Sequence, residues 1–447
     1  MSWNPIYIVL ILFSTVVDYF VAIQLDKSTR KRQRQWLLGL SLLANLGLLF
    51  TFKYYNFFNS AIEDTLLLLG YEYSYSVLNV LLPVGISFYT FQTLSYTIDI
   101  YKGRQRAQKH FGKFALFVSF FPQLVAGPIE RSTHLLPQFD KKFDFDYLRI
   151  TDGLKLMFWG LFKKIVIADR LAIIVNQVYN NAPDYDGFAL ALATVFFAFQ
   201  IFCDFSGYSD IAIGCAKVFG FDLMKNFNKP YYAKSISEFW KRWHISLSTW
   251  FRDYVYIPLG GNRTSKGRWY ANLFITFFVS GIWHGANWTF LIWGALHGFY
   301  LIAAIILSPV KNWMYHKLGV ADHSRLPVKV WQTGTTFLLV CFAWIFFRAN
   351  SASDAFLIVG RILSMEFNPS VWIDSLYQIG IDKNGLVIAV LSIGIMEIVH
   401  LLDRDESFIQ KLNRLKTYQR WGLYYLFVLY FLFFGSFGNQ DFIYFQF

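Results

Sequence analysis

Pro5-Ile-Tyr-Ile-Val-Leu-Ile-Leu-Phe-Ser-Thr-Val-Val-Asp-Tyr-Phe-Val-Ala-Ile-Gln-Leu25 runs directly into Asp26-Lys-Ser-Thr-Arg-Lys-Arg-Gln-Arg34, and this junction decides the fold class. The apolar run has the length of the ~20-residue helix that crosses a bilayer core. No basic region precedes it and no small-residue cleavage site follows, so it reads as a retained first span rather than a signal peptide. The cluster Lys27, Arg30, Lys31, Arg32 and Arg34 behind it predicts that this end faces the cytoplasm and that the N-terminus lies outside.

The rest of the chain supports a membrane reading. Of its 447 residues 55% are apolar and only 16% charged, against roughly 25% charged in a typical soluble domain. Too few polar residues remain to cover soluble globules. An aromatic share of 20% excludes disorder. The net charge of +12 raises the possibility of nucleic-acid binding. Its placement argues otherwise: residues 26–36, 101–114 and 229–270 hold 18 of the 41 basic residues and 3 of the 29 acids. The first two stretches are short loops between apolar runs, as expected of cytoplasmic loops. No extended basic-aromatic groove for a nucleic acid is present.

Spans are expected near 36–52 and 77–98, returning the chain to the cytoplasm at Lys102–Lys113. Further apolar runs lie near 114–127, 153–175, 187–203, 205–222, 270–283, 287–307, 330–347, 384–402 and 421–437. The run 153–175 carries Lys163, Lys164, Asp169 and Arg170, and 114–127 is short for a crossing. The expected fold is an all-α integral membrane protein of about ten to twelve embedded helices, some broken or re-entrant where protein or a cavity surrounds them. One polytopic domain covers 1–447: N-terminal spans in 1–113, a core in 114–307 and C-terminal spans in 308–447. Cys203, Cys215 and Cys341 have no CxxC spacing, and HExxH, GxSxG and P-loop patterns are absent. No metal site, serine triad or phosphate loop is therefore predicted.

Strongly polar groups at bilayer depth are costly and so become functional candidates. Asp204, Ser206, Tyr208 and Asp210 lie between two apolar runs, where they read either as a helix-breaking turn satisfying its own backbone or as part of a site. On a single helix from Glu238 to Arg252 and beyond, Trp240, Trp243, Leu247, Trp250, Phe251 and Tyr254 share an arc of about 100°. Glu238, Lys241, Arg242, Thr249, Arg252 and Asp253 take the other side, which predicts an interfacial amphipathic helix. His244 falls among the aromatics with Ser248 at the edge, and reads either as a packed histidine or as a functional one. The third cluster runs from Ser280 to Gly298, where His284 is flanked by Gly281, Trp283 and Gly285 with Asn287 close by. A histidine there can accept a proton near neutral pH, as a general base for a hydroxyl requires. His297 reads as packing or support for this group.

At these residues the sequence resembles the membrane-bound O-acyltransferase family, and most closely its bacterial alginate O-acetyltransferase branch. The matching stretches are Leu82–Gln92, Phe121–Arg131, Asp152-Gly-Leu-Lys-Leu, Asp204–Asp210, Phe239–Asn262, Trp283-His-Gly-Ala-Asn-Trp-Thr-Phe and the terminal Phe442–Phe447. The resemblance implies a helical core around a transmembrane tunnel, with His284 as the family's buried histidine and His244 as its second. It further implies acetyl-CoA or another acyl thioester as donor substrate, with no bound cofactor. The acceptor would be a hydroxyl serving an extracytoplasmic polysaccharide, through an SGNH-type partner protein, in the bacterial cytoplasmic membrane. The basic residues Lys241, Arg242, Arg252, Arg263, Lys266 and Arg268 would then meet the donor's phosphates or lipid headgroups. Two alternatives remain at this point: a D-alanyl transferase of teichoic-acid modification fed by a carrier protein, and an exporter or channel for acylated glycans.

Overall fold

The computed structural model describes residues 5–317, 325–403, 406–438 and 442–443. Every regular element among them is helical. Among the described residues six helices are long and apolar enough to cross a membrane: Ile8–Lys27, Lys31–Leu68, Gly187–Val218, Trp288–Ile306, Leu326–Arg348 and Lys383–Leu402. Of the terminal Phe442–Phe447 motif, only Phe442 and Ile443 fall within the described residues.

The basic loops meet at one end. Arg34 donates to the carbonyls of Ile100 (3.1 Å) and Tyr101 (2.7 Å), and Arg106 pairs with Asp26 at 3.2 Å. Tyr254, in the third basic stretch, donates to Asp99 at 2.8 Å, and the charges of Lys102 and Arg131 lie over its ring. The span predicted at 77–98 starts later, at Ile86, and continues to Tyr101. Pro83 biases the backbone before it away from helix. Gly85 opens the helix at φ +80°, where an added Cβ would sit 2.6 Å from the Leu124 carbonyl.

The largest correction concerns 200–210. No turn breaks the chain there: Gly187–Val218 is one 32-residue helix through the centre of the fold. Its polar residues are satisfied laterally by the helix Tyr147–Leu161, which widens into a π-turn at Phe162–Ala168 and continues as Asp169–Asn180. Lys163 binds Asp210 at 2.7 Å and Ser206 Oγ at 2.8 Å, while Lys164 binds Asp204 at 2.6 Å and Asp169 at 2.8 Å. The other Asp204 oxygen accepts the Ile443 N–H at 2.7 Å. The charges that made 153–175 an untidy span are thus the complement of those that made 200–210 untidy.

Two glycine pairs let these helices touch. A Cβ on Gly160 would lie 2.5 Å from the Gly207 carbonyl, and one on Gly207 would lie 2.8 Å from the Gly160 carbonyl. Gly153 and Gly214 repeat the arrangement at 2.7 and 2.6 Å, which makes the crossing antiparallel. Small residues of this kind take the place of a hydrophobic driving force inside a bilayer. Gly160→Leu is expected to cost about 1–3 kcal/mol by overpacking, read as a lowered thermal midpoint in detergent. Gly39→Leu, with no atom within 4 Å of its new Cβ, should leave the midpoint unchanged.

Candidate active site

His284 ends the helix Lys266–His284, and after Gly285-Ala286-Asn287 the chain returns as Trp288–Ile306. The hairpin closes on glycine: a Cβ on Gly281 would meet the Phe290 carbonyl at 2.4 Å, and one on Gly294 the Phe277 carbonyl at 2.5 Å. Asn287 caps the return helix by accepting the Thr289 N–H at 3.0 Å. The His284 ring is buried between Trp283, Trp293 and Phe347, with ring centroids 4.8, 4.9 and 5.3 Å away. Lys53, on the π-turn Phe50–Tyr54, donates to the carbonyls of Trp283 (2.9 Å) and His284 (2.8 Å). A cation thereby satisfies orphan acceptors at the negative end of the helix.

The second histidine sits at a break. The amphipathic helix expected across 238–254 is divided into Ile236–Arg242 and Ile245–Phe251, followed by a π-turn at Arg252–Tyr256. His244 occupies the break in the left-handed region, φ 43° and ψ 56°. Asn226 holds the bend: its carbonyl accepts the Ile245 N–H at 2.9 Å and its Oδ1 accepts the Ser246 N–H and hydroxyl at 3.2 and 2.9 Å. Local helix propensity loses to these tertiary bonds, so the projection of 238–254 onto one wheel does not survive. His244 is fully buried, edge-on to Phe205 at 4.5 Å and 6.1 Å from the Trp283 ring. Trp283 therefore packs against both histidines. Any replacement of the buried ring lowers the thermal midpoint by the void it leaves, but His244→Asn, which tolerates this backbone, should lose about 1–2 kcal/mol less than His244→Val, whose β-branched side chain resists it.

His297 joins the two motifs. Trp240 Nε1–H donates to its Nδ1 at 3.2 Å, and both rings pack on Trp293. Trp243 is buried against Phe227 and Trp344. Ser248 donates to the Trp243 carbonyl at 3.2 Å, which ties the two short helices across the bend. Arg252 is exposed and paired with Asp253 at 2.7 Å, and Arg242 pairs with Glu238 at 2.7 Å. Burial pushes the Glu238 carboxyl up, but the Lys234 N–H and the Arg242 guanidinium hold it below its usual value. Trp288 is largely exposed and rests edge-on against Phe57.

One recess borders His284 and a second lies next to that recess. The first, of about 50 Å³, is lined by His284, Trp283, Phe88, Leu82 and Lys53. A cavity of about 600 Å³ shares Lys53 and Leu82 with it and is walled by Asn287, Phe347 and Arg348. Both lie away from the basic loops: the 16-residue helix from Ile86 places Tyr101, at the loops, about 24 Å from the recess. A third cavity, of about 710 Å³, contains Lys155, Lys163, Lys217, Lys225 and Lys229. It also contains Asp222, whose backbone is bound by Gln138 near the basic loops. Ser206 and Asp210 face this cavity, whereas Asp204 belongs to the Lys164 network and Tyr208 packs on Phe442.

The sequence profile described as "MBOAT, membrane-bound O-acyltransferase family" matches residues 104–316. The "Probable alginate O-acetylase AlgI" of Pseudomonas aeruginosa is 39% identical over 377 residues, 83% of this chain and 68% of the relative. The chain belongs to the membrane-bound O-acyltransferase family. The "Peptidoglycan O-acetyltransferase" of Helicobacter pylori is 37% identical over 389 residues, covering 81% of this chain and 71% of that one. The "Teichoic acid D-alanyltransferase" of Bacillus subtilis is 29% identical over 296 residues, 61% and 70% of the two chains. This protein is thus a membrane-embedded acyltransferase, and membership sets aside the reading as a bare exporter.

In this membrane-bound O-acyltransferase, two residues next to the histidines escaped the reading of the sequence. Lys53 follows an apolar run and looks like a span terminus, and Asn226 lies in a polar stretch with no pattern of its own. Lys53 lies outside the matched profile, while both histidines lie inside it. The signal for Lys53 was available: a single lysine between Thr51-Phe52 and Tyr54-Tyr55 is expensive unless bound.

Proposed function

We propose that this acyltransferase moves an acetyl group from acetyl-CoA in the cytoplasm to a hydroxyl acceptor that serves polysaccharide O-acetylation outside the bacterial cytoplasmic membrane. The observation that carries the reading is the position of His284, bordering a recess at the end away from the basic loops, while a lysine-bearing cavity lies near those loops. On the positive-inside rule the basic end is cytoplasmic and the N-terminus is outside. The shorter and π-widened helices, with the six long ones, make up ten to twelve embedded helices in one domain around a tunnel joining the two ends. The names of the alginate and peptidoglycan relatives support acetyl as the group and a glycan as its destination.

His284 takes the proton of the acceptor hydroxyl as its oxygen attacks the thioester carbonyl. The new C–O bond forms, the C–S bond breaks, and the proton passes to the departing thiolate. His244, across Trp283, orients the donor or shares that proton. An SGNH-type partner outside the membrane then receives the acetyl group or delivers the acceptor.

The test uses the full chain in sealed proteoliposomes, with labelled acetyl-CoA on the face of the basic loops and acceptor on the other. Transfer in this arrangement alone is the expected result. Transfer from a D-alanyl carrier protein and not from acetyl-CoA would replace it with the chemistry named for the Bacillus subtilis relative. Glycan flux without thioester consumption would overturn the reading entirely.

A further inference from the structure

The N-terminal helices meet through polar side chains far from either end of a membrane span. Asp18 stands near the middle of Ile8–Lys27, about 14 Å along the axis from Lys27 at the basic loops. The helix Lys31–Leu49 brings Ser41 and Asn45 against it, and Ile86–Tyr101 brings Thr93 and Thr97. All five side chains are fully buried. Asp18 is in no ion pair among the described residues, although an acid at this depth is costly without a partner for its charge.

The hydrogens around the carboxylate can be counted. Asp18 Oδ1 accepts the Ser41 hydroxyl at 2.6 Å, and Asn45 Nδ2 donates to the two Asp18 oxygens at 3.1 and 2.9 Å. The other amide hydrogen of Asn45 goes to the Ser41 carbonyl at 2.9 Å. Thr97 and Thr93 donate to carbonyls of their own helix, Leu94 at 3.2 Å and Thr90 at 3.1 Å. Each hydroxyl has one hydrogen. With these spent, Ser41 Oγ and Thr97 Oγ1 face one another at 3.1 Å through lone pairs, and Thr93 Oγ1 and Asn45 Oδ1 do so at 3.3 Å. Hydrogens point into the carboxylate, as they do around an anion, while unshared oxygen lone pairs gather beside it. One turn back along the same helix rows, the hydroxyls of Ser14 and Tyr89 are buried with no hydrogen-bond partner. One negative charge among neutral oxygens is the complement of a hard cation of single charge.

We propose that Asp18, Ser41, Asn45, Thr93 and Thr97 bind one sodium ion between the three helices, its charge balanced by the Asp18 carboxylate. Neighbouring oxygens stand 2.6, 3.1 and 3.3 Å apart, a compact group that suits sodium better than the larger potassium ion. A transition metal has no such claim, because no three His, Cys, Asp or Glu side chains come together among the described residues. The helix Lys31–Leu49 runs on into the π-turn whose Lys53 holds the His284 carbonyl, so an ion that clamps these helices also steadies that contact. Neither the site nor its test depends on which group the enzyme transfers.

The test is equilibrium binding of radiolabelled sodium to the purified full-length protein in detergent, with choline chloride holding the ionic strength constant. The parent should bind sodium saturably at one site per chain, with potassium displacing it about tenfold less well. Its thermal midpoint should rise as sodium replaces choline, since the ion binds only the folded protein. Asp18→Asn, close in volume but without the charge, should abolish both effects. Thr97→Val removes one oxygen at nearly constant volume; it should weaken binding about tenfold or more, and it covers the case in which the Asn variant fails to fold. Asp26→Asn, nearer the basic loops, should bind sodium as the parent does. Absence of saturable binding to the parent, or binding unchanged in both Asp18→Asn and Thr97→Val, overturns the proposal. Tighter binding of potassium than of sodium overturns the choice of ion.

Discussion

In protein reconstituted into lipid, His284→Gln is expected to lose acetyl transfer by about 10²–10⁴-fold, the usual worth of a positioned general base, which is the role proposed for His284. Gln is the informative replacement because the imidazole is packed between Trp283, Trp293 and Phe347. Ala would leave a void among these rings and cost stability as well as chemistry. Gln keeps the volume and a polar atom but cannot take the proton. The loss should therefore fall on kcat, with KM for acetyl-CoA and the thermal midpoint close to those of the parent. His284→Ala should be equally inactive with a lower midpoint. More than a tenth of parental activity in the Gln variant would remove His284 from the role of base. His244→Gln provides the contrast: a residue that orients the donor should change KM together with kcat.

The second large effect is on stability. Lys164→Met is expected to cost about 3–5 kcal/mol, because it leaves Asp204 and Asp169 without the ammonium at 2.6 and 2.8 Å. Asp204 is almost fully buried on the central helix, and its other oxygen holds the Ile443 N–H. An uncompensated carboxylate at that depth cannot be rehydrated without opening the helix pair. The double replacement Lys164→Met with Asp204→Asn should recover much of the loss, since the charge that needed a partner has gone. Thermal midpoints of the four combinations in detergent measure the coupling, and additive losses would show that the pair is not a unit. Asp26→Asn, which breaks the exposed pair with Arg106, should cost less than about 1 kcal/mol.

The contrast between these two networks explains what could be read from the chain. His284 stood out because a titratable residue among Trp, Gly and Phe has no solvated explanation, and the structure does bury it. His244 stood out for the same reason, although the helix drawn through it breaks at that residue. Asp204 and Lys164 were each visible as anomalies, but nothing in their spacing of 40 positions tied one to the other. The π-turn that turns Lys163 toward Asp210 and Lys164 toward Asp204 has no sequence signature. Of the asparagines around Arg348, Asn176 and Asn180 come from one helix and Asn350 from a loop, and each alone is an ordinary polar residue.

The sequence by itself determined the membrane, the grouping of the basic loops, and which two histidines stand among aromatics as candidates. These follow from composition and from the cost of placing charge in hydrocarbon, which are properties of single residues and their immediate neighbours. Tertiary structure alone decided which charges neutralise one another, where the helix through His244 bends, that Lys53 holds the end of the His284 helix, and that Asp18 is buried among polar side chains from two other helices. Each of these depends on residues far apart in the chain meeting at hydrogen-bond distance, and the energy of such a contact exists only once the helices have packed.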